Sequence, residues 1–330
     1  MTKRVICSGE ILYDFISTAK GTGLAGASQF LKKPGGSPFN IAVGLARLGT
    51  DVSFLVKIGD DGFGAGLREF LSSENVDMSC VVDGAGHNTT LAMAAVDESG
   101  KPEFQFYREN TADISLTTGE LPPISPEETS AFSFGSIALA DNPVGDTILH
   151  VFEKMRTNGV LTVLDPNVRP LYVGNRPIFK KRMDYLIPIV DILKLSDDDL
   201  AYLTESGSVE EGLAKLEANH SGLVIVTEGP RGARALWKGE TVRVQCPVVE
   251  VAETTGCGDS FVAGVLSMLA PLGRSGFADI SAKFLKNTIE FANACASIVA
   301  TRYGAANAMP TRREVDEFMQ EHKMGPYGVK

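Results

Sequence analysis

Short β-branched and apolar runs alternate with helical patterns along most of this chain, and this alternation limits the possible folds more than any other feature. RVICSG near the N-terminus, DVSFLVKIG (51–59) and GLVIVTEG (222–229) are typical of buried strands. Between the first two, Ile41, Leu45 and Leu48 recur at helical spacing. Further strands are predicted at AFSFGSIAL (131–139), GVLTVLD (159–165) and DILKLS (191–196). The pattern predicts an α/β fold with a mostly parallel sheet, helices on both faces and ligands at the carboxyl ends of the strands.

One region departs from this alternation. Residues 88–110 contain two strand-like runs joined by the turn DESGKP, with no helix between them, which predicts a β-hairpin. An edge extension of the main sheet is one interpretation. We favour a small β-sheet lid built from about 12–18 and 89–110, because Arg108 and Asn110 place polar groups at the end of the hairpin. The chain is then a single α/β domain, 1–330, that carries this lid and ends in a frayed GPYGVK tail.

Composition excludes several classes of partner. The net charge of −10 disfavours nucleic acid and acidic membrane surfaces. Five scattered cysteines without a CxxC motif, together with four scattered histidines, predict reduced thiols, no disulfide framework and no metal cluster. The N-terminus lacks the apolar core of a signal peptide, and no uninterrupted apolar run approaches the length of a membrane span. We therefore expect a soluble cytoplasmic protein with no nucleic-acid or membrane partner.

The segment GTGLAG (21–26) matches the GxGxxG pattern of dinucleotide-binding proteins. Only residues 27–33 separate it from PGG at 34–36, which is too short for the helix that would receive a pyrophosphate. The sequence therefore predicts a flexible loop here.

The segment TTGCGDSFVAG (254–264) places Asp259 where a glycine turn becomes a helix. An aspartate at this point has a structural explanation, because it is a favoured N-cap. That explanation leaves the two glycines unaccounted for. Gly256 and Gly258 also allow backbone N–H groups to converge, and a helix N-terminus adds partial positive charge. The second interpretation is therefore an anion site with a carboxylate beside it.

Three weaker motifs each allow two interpretations. PGGSPFNIAVGLARLG (34–49) is either a helix entry or a ligand contact formed by paired glycines and Asn40. DPNVRP (165–170) is either a salt-bridged turn or a set of polar groups presented at a strand's carboxyl end. VIVTEGPRGA (224–233) is either a hairpin turn or a turn that contacts a nucleotide.

Taken in order, Asp14, GG…N, FYREN, DPNxR, VTxGxxG and TTGxGD resemble the PfkB/ribokinase family of carbohydrate kinases, from about residue 4 to about residue 315. GEILYDF, FQFYREN and DPNVRP look most like bacterial fructokinases. The resemblance implies a ribokinase-like three-layer α/β/α fold with a β lid. It also implies ATP-dependent phosphorylation of a primary hydroxyl of a small sugar, with Mg²⁺ and, in many members, K⁺. Lids of relatives often pair between subunits, which implies a homodimer.

The resemblance also implies a role for individual residues. Asp259 matches the base that takes a proton from the sugar hydroxyl, beside the anion-hole residues Gly256, Cys257 and Gly258. The sugar-binding positions are Asp14, Gly35, Gly36, Asn40, Arg108, Asn167 and Arg169. The nucleotide positions are Ser196, Thr227, Gly229, Gly232 and Asn293, and the metal positions are Asp199, Glu253 and Thr255.

Three features depart from the family pattern. Cys257 replaces an Ala or Ser, and a helix N-terminus lowers thiol pKa, so its thiol is predicted to be reactive without being a nucleophile. Ser196 and Asp199 occupy the positions of Asn and Glu in the family's Asn-x-x-Glu motif, which orders magnesium-bound water. Glu253 replaces an Asp in the segment that holds a monovalent cation.

Fructose is the expected substrate. The alternative is 2-keto-3-deoxygluconate, because Tyr107, Arg108 and Arg169 offer partners for its carboxylate. A doubly wound oxidoreductase, which rests on GTGLAG alone, and a non-catalytic sugar-binding relative are the distant alternatives.

Overall fold

The structure, a computed structural model, describes residues 3–99, 102–174 and 176–325. Residues 326–330 of the predicted tail, and residues 100–101 of the predicted hairpin turn, lie outside the described part. The strands are β1 Arg4–Ser8, β2 Leu12–Lys20, β3 Phe30–Gly35, β4 Val52–Gly59, β5 Val81–Gly84, β6 Thr90–Val96, β7 Pro102–Tyr107, β8 Thr129–Gly135, β9 Leu161–Asp165, β10 Ile192–Ser196, β11 Leu223–Thr227, β12 Ala233–Trp237 and β13 Glu240–Val244. The α-helices are α1 Gly23–Gly26, α2 Ser37–Arg47, α3 Gly62–Ser73, α4 Val144–Thr157, α5 Pro170–Val173, α6 Pro177–Leu186, α7 Asp197–Thr204, α8 Val209–Glu217, α9 Cys257–Leu269, α10 Gly273–Ala278, α11 Ala282–Ala300 and α12 Arg312–Glu321.

A nine-stranded sheet forms the centre of the molecule, in the order β13-β12-β11-β10-β9-β8-β1-β4-β5. The pairs from β11 to β5 are parallel, and β12 and β13 add an antiparallel edge. Along β1, Val5 and Cys7 face a core shared with α2, α9 and α11, whereas Ile6 faces a core shared with α4 and α6. This alternation buries both faces of the sheet and confirms the predicted three-layer α/β/α class.

The helical segment Cys257–Ala278 is apolar enough, with a mean hydropathy of 1.3 over 18 residues, to pass for a membrane span by length and composition. No apolar run of this length was expected from the sequence. Much of that window, 56%, is buried inside the fold, where α9 packs between α2 and α11. Its apolar composition is therefore that of a helix at the centre of a core.

A second sheet, here called the small sheet, has the order β3-β2-β6-β7. The predicted hairpin is the antiparallel pair β6–β7, and β2 joins β6 in parallel, so the small sheet is separate from the main sheet as predicted. The remaining strand of the small sheet, β3, pairs antiparallel with β2 and was not predicted. The segment FLKKPG contains two lysines and a proline, and its apolar run is too short to show the alternation of a strand. It was therefore not recognised as a strand.

Two local predictions were wrong. GTGLAG, predicted as a flexible loop, contains the helical turn α1, and its Leu24 N–H donates to Glu103 Oε2 at 2.7 Å. The predicted strand 131–139 ends at Gly135, because Ser136 adopts a left-handed φ of 59° and the chain turns into a 3-10 helix, Ser136–Ala140. The edge strands β5 and β13 were not singled out from the sequence.

Candidate active site

Helix α9 begins after a left-handed glycine. Gly256 is the N-cap with φ of 84°, and a Cβ there would lie 2.9 Å from the Ala305 Cα, so the position requires glycine. Asp259 is the third residue of the helix and makes no capping hydrogen bond. The N-cap explanation of Asp259 is therefore wrong, since glycine occupies the cap and the carboxylate points elsewhere.

The Asp259 carboxylate faces helix α2. Its Oδ1 accepts a hydrogen bond from Ser37 Oγ at 2.6 Å, and its Oδ2 accepts one from Asn40 Nδ2 at 2.7 Å. The residue is 8% exposed. Asn40 Oδ1 is buried without a hydrogen-bond partner among the described residues, which leaves a polar acceptor beside the carboxylate for a ligand. Two neutral donors therefore fix the orientation of a buried acid.

Strand β1 and the loop after it hold the start of α2. Gly36 is the N-cap of α2 with φ of 111°, and a Cβ on it would overlap the Glu10 carbonyl. The Ser37 N–H donates to Glu10 Oε1 at 3.1 Å. Glu10 is buried, and burial raises the pKa of its carboxyl, although Arg108 and Ser136 oppose the rise. Glu10 thus anchors the helix that presents Ser37 and Asn40.

Asp14 lies on β2 of the small sheet, next to Gly35. A Cβ on Gly35 would overlap Asp14 Oδ2, so the glycine allows close approach to the carboxylate. Burial raises the pKa of Asp14 to about 6, although Arg169 and Lys33 oppose the rise. Of the predicted residues, Gly35 therefore lies against Asp14, and Arg169 is close enough to act on its charge.

A buried ion pair lies under the turn that precedes α9. Lys194, on β10, contacts Asp165 at 3.0 Å at the carboxyl end of β9. Burial, together with the neighbouring Asp199 and Asp259, raises the pKa of Asp165 to about 6 despite the opposing effect of Lys194. A Cβ on Gly258 would lie 3.0 Å from Lys194 Nζ. An ammonium therefore sits at the predicted anion hole.

One N–H group that was predicted for the anion hole already has a hydrogen-bond partner. The Cys257 N–H donates to the Thr254 carbonyl at 3.2 Å, so it already has an acceptor in the turn. The other N–H groups of the first helical turn have no acceptor within the helix, as in any α-helix.

Of the DPNVRP residues, Asn167 adopts a left-handed φ of 39° and its N–H donates to Asp165 Oδ1 at 3.2 Å. Ser196 and Asp199 form a capping box at the start of α7. Asp199 Oδ1 accepts from the Val168 N–H and Oδ2 from the Ser196 N–H, at 2.8 and 2.9 Å. Asp199 thus ties two site loops together, and its part in ordering metal-bound water stays a prediction.

The predicted nucleotide residues lie around the antiparallel edge. Gly232 has φ of 91° in the turn between β11 and β12, so the hairpin interpretation of this motif describes its structure. Thr227 ends β11 and donates to the Leu195 carbonyl at 3.3 Å, and Gly229 has φ of 55°. Asn293 of α11 donates to the Val244 and Gln245 carbonyls. Their contacts with a nucleotide stay a prediction.

Arg108 lies in a buried cluster of protein partners. It contacts Asp113 at 2.8 Å and Asp141 at 2.5 Å, and it donates to Tyr172 Oη at 3.0 Å. Burial disfavours its charged form, but these partners and Glu10 more than compensate and raise its pKa above the ordinary value. The expected direct contact with substrate stays a prediction, since the guanidinium already has two carboxylate partners.

Glu253 also has protein partners. Its Oε2 accepts from Lys33 Nζ at 3.1 Å and from the Gly304 N–H at 2.9 Å. Burial raises its pKa, but hydrogen bonds from Gly304, Thr255 and Lys33 lower it by more. Across residues 3–99, 102–174 and 176–325, no cluster of three or more His, Cys, Asp or Glu side chains is arranged to hold a metal.

A comparison with known families and proteins agrees with this geometry. Residues 2–312 match the family model described as pfkB family carbohydrate kinase. The chain belongs to the pfkB family of carbohydrate kinases. It is 36% identical to Fructokinase-1 of Oryza sativa subsp. japonica, over 96% of this chain and 97% of that protein. It is also 36% identical to probable fructokinase-6, chloroplastic, of Arabidopsis thaliana, over 95% of this chain and 81% of that protein.

Solved structures support the same family. The Xylella fastidiosa fructokinase with bound ATP has a TM-score of 0.87 at 26% identity, covering 98% of this chain and 100% of that one. A Vibrio cholerae O395 fructokinase double mutant in a fructose-, ADP- and potassium-bound form has a TM-score of 0.83 at 28% identity, covering 96% and 98%. The ribokinase-like fold and the carbohydrate kinase class, both predicted from the sequence, are thereby confirmed.

In this carbohydrate kinase, the predicted reactivity of Cys257 was wrong. Burial raises the pKa of the Cys257 thiol to about 12, and the nearby carboxylates of Asp259 and Glu253 add to the rise. The partial positive charge at the N-terminus of α9 lowers the thiol pKa by less than burial and the two carboxylates raise it. The thiol is therefore protonated at neutral pH.

Sequence reasoning missed four residues of the kinase site: Ser37, Glu10, Lys194 and Lys33. A signal was available for Lys194, because DILKLS places one lysine inside an otherwise apolar strand, and such a lysine needs a buried acidic partner. Ser37 and Glu10 gave no signal, since their role depends on how α2 packs against α9.

Proposed function

We propose that this kinase transfers the γ-phosphoryl group of ATP to a primary hydroxyl of fructose. The observation that carries the proposal is the buried Asp259 carboxylate, oriented by Ser37 and Asn40 at the start of a helix that opens from a glycine turn. Fructokinases among its relatives and structural neighbours support the choice of sugar.

In the proposed reaction Asp259 accepts the proton of the sugar hydroxyl as the oxygen attacks the γ-phosphorus. The bond from the γ-phosphorus to the bridging oxygen breaks, and ADP leaves with the electron pair. The N–H groups of the first turn of α9 and the ammonium of Lys194 stabilise the charge on the transferred group, which is most of what phosphoryl transfer needs from a protein.

Mg²⁺ fits this site as a companion of the nucleotide. Asp165, Asp199 and Asp259 are close enough to influence one another's charge around Lys194, so the local balance favours a divalent cation. Mg²⁺ in kinases is held by phosphates and one or two carboxylates rather than by a protein cage, which agrees with the lack of a metal cluster in the described ranges. When bound, the ion neutralises phosphate charge. We assign its protein-side contact to Asp199, whose two oxygens accept only backbone N–H groups within the described part of the chain, whereas Asp165 is already paired with Lys194.

The charge balance favours a neutral sugar over 2-keto-3-deoxygluconate. Arg108 is neutralised by Asp113 and Asp141, and Arg169 lies near the carboxylate of Asp14. A sugar acid that used Arg108 would have to displace a protein carboxylate from it, and one that used Arg169 would bring a second negative charge close to Asp14. A neutral ketohexose requires neither.

A coupled ADP-release assay tests the proposal with fructose, 2-keto-3-deoxygluconate, ribose and a nucleoside. We expect kcat/KM to be at least about tenfold higher for fructose than for the other substrates. A higher value for 2-keto-3-deoxygluconate would overturn the choice of sugar, and no turnover with any sugar would overturn the kinase reaction itself.

We also propose that the small sheet is a lid of one domain comprising residues 1–330 and that it pairs with a second copy to form a homodimer. Leu31, Ile16, Ala94 and Phe104 are register partners in a row on the face that carries Asp14. Leu31 and Phe104 are 53% and 54% exposed, so the outer part of this face is apolar and uncovered. Sedimentation at micromolar concentration should give a dimer, and Phe104→Asp should give a folded monomer. A wild-type monomer would refute the pairing.

We place the enzyme in the cytoplasm. All five cysteines are free thiols, three of them buried, which suits a reducing compartment. Fractionation of cells that produce the protein tests this, and recovery with the membrane or in an oxidising compartment would contradict it.

A further inference from the structure

Lys33 places an ammonium on the carboxylate that the family resemblance assigns to a monovalent cation. The Lys33 Nζ lies 3.1 Å from Glu253 Oε2, which also accepts the Gly304 N–H at 2.9 Å. The side chains of Lys33 and Glu253 are 16% and 21% exposed, so the pair is largely shielded from water. Glu253 leads directly into the turn before α9, so its charge state affects the anion site.

We propose that Lys33 is a built-in substitute for K⁺, so that this kinase needs no monovalent cation. The proposal rests on the proposed kinase function for its activity measurements, but not for its binding measurements. It departs from the expectation that Glu253 and Thr255 hold K⁺.

K⁺ does not fit beside this carboxylate. A cation bound to Glu253 Oε2 would share the oxygen with the ammonium of Lys33 and be repelled by it at short range. The same oxygen also accepts the Gly304 N–H, and Thr255 hydrogen-bonds the carboxylate as well. The negative charge that would attract K⁺ is therefore already neutralised by Lys33, and Oε2 already accepts from two donors.

The position of Lys33 in the fold gives the substitution a second consequence. Lys33 lies on β3 of the small sheet, directly across from Asp14 on β2. Its ion pair with Glu253 therefore links the small sheet to the loop that enters α9. A free K⁺ ion would neutralise Glu253 without making this link. Lys33 supplies the charge and holds the small sheet against the catalytic turn.

The test compares Lys33→Met with Lys32→Met. Lys32 is the adjacent residue on β3, so its side chain points to the opposite face, where it lies 4.5 Å from the centre of the Tyr13 ring. The two variants lose the same charge from the same strand. A third variant, Lys33→Met with Glu253→Gln, removes the carboxylate as well.

Two measurements are made on each protein in potassium, sodium or choline chloride at about 0.1 M. The first is the Tm without nucleotide or sugar, and the second is kcat with the best sugar. For wild type, neither Tm nor kcat should differ between the three salts, and the same should hold for Lys32→Met. Lys33→Met should gain about 2 °C in K⁺ over choline, because the freed Glu253 now binds the ion, and K⁺ should raise its kcat about fivefold. The double variant should not respond.

A wild-type enzyme whose Tm and kcat both rise in K⁺ would overturn the proposal, because Lys33 would then leave the ion its site. A Lys33→Met protein that is folded but indifferent to K⁺ in both measurements would also overturn it. If no variant turns over any sugar, the Tm comparison still decides the question, so failure of the kinase assignment can be told apart from failure of this inference.

Discussion

Two buried carboxylates in this enzyme, Asp259 and Asp113, are held in opposite ways. Asp259 accepts hydrogen bonds from a hydroxyl and an amide, at 2.6 and 2.7 Å. Asp113 pairs with the guanidinium of Arg108 at 2.8 Å and also accepts from the Thr90 and Thr111 hydroxyls. One acid is oriented by neutral donors, and the other is neutralised by a cation.

The difference separates a reactive acid from a structural one. A guanidinium bound to a buried carboxylate satisfies its charge, and the pair becomes a fixed part of the fold. Neutral donors fix the direction of a carboxylate but leave its negative charge for a substrate proton. We therefore propose that Asp259 serves the reaction and that the cluster around Arg108 stabilises the fold.

The largest expected effect follows from removing the charge of the reactive acid. Asp259→Asn should lower kcat by about 10²–10⁴-fold, because general-base catalysis typically contributes that much. Asn still accepts and donates hydrogen bonds toward Ser37 and Asn40, so the fold should survive. Steady-state kinetics at saturating sugar measure the loss, and circular dichroism checks the fold.

Breaking the structural pair should cost stability instead. Arg108→Met leaves Asp113 buried without a cation and Asp141 with Arg176 alone, which should lower the free energy of unfolding by about 3–5 kcal/mol in urea denaturation. Arg169→Met is the control, since the Arg169 side chain donates to the Val168 carbonyl at 3.3 Å, makes no ion pair among the described residues and should lose under about 1 kcal/mol. If Arg108→Met keeps full stability and loses only sugar affinity, Arg108 is a substrate contact after all.

The Lys194–Asp165 pair tests whether an ion pair can also serve the reaction. Lys194→Met should lower kcat about 10²-fold, because the ammonium lies beside Gly258 at the anion site. Lys57→Met is the matched control: Lys57 is also buried on the main sheet and paired, with Glu120. Equal kcat losses in the two variants would show that the effect comes from general destabilisation.

Asp14 tests an acid whose charge is only partly compensated. Its pKa is about 6 in the folded protein, above the ordinary value of an aspartate, so the folded state binds the proton more tightly than the unfolded chain. The stabilisation this gives is present below the unfolded value and is lost as pH rises through about 6. Asp14→Asn should therefore be more stable than wild type by about 1 kcal/mol at pH 8 and no more stable at pH 4. Urea denaturation at the two pH values measures this, and a gain that does not depend on pH would refute the charge explanation.

The smallest effect is expected at Cys257. Its thiol is protonated at neutral pH, so iodoacetamide at pH 8 should leave the activity of wild type unchanged over an hour. Cys257→Ala should keep kcat within about twofold, because alanine keeps the backbone of the turn, including the N–H that donates to the Thr254 carbonyl. Rapid inactivation of wild type, absent in Cys257→Ala, would restore the prediction of a reactive thiol.

The sequence predicted those features of the fold and the site that depend on residues close together in the chain. The alternation of strands and helices predicted the main sheet, and TTGCGD identified Asp259 because glycines and an acid must be adjacent in the chain to build such a turn. It failed where a role depends on distant contacts. Nothing local predicts that Ser37 faces Asp259, that Lys33 reaches Glu253, or that Arg108 is enclosed by Asp113 and Asp141. Those pairings arise only when segments that are distant in the chain pack together in the fold.

The most direct test of the central claim measures kcat and Tm for Asp259→Asn and Asp113→Asn side by side. Both substitutions remove one buried negative charge and preserve the side-chain shape. We predict that Asp259→Asn loses at least about 10² in kcat with Tm within about 2 °C of wild type, and that Asp113→Asn loses several degrees in Tm with kcat within about threefold. A folded Asp259→Asn enzyme with wild-type kcat on its best sugar would contradict the account.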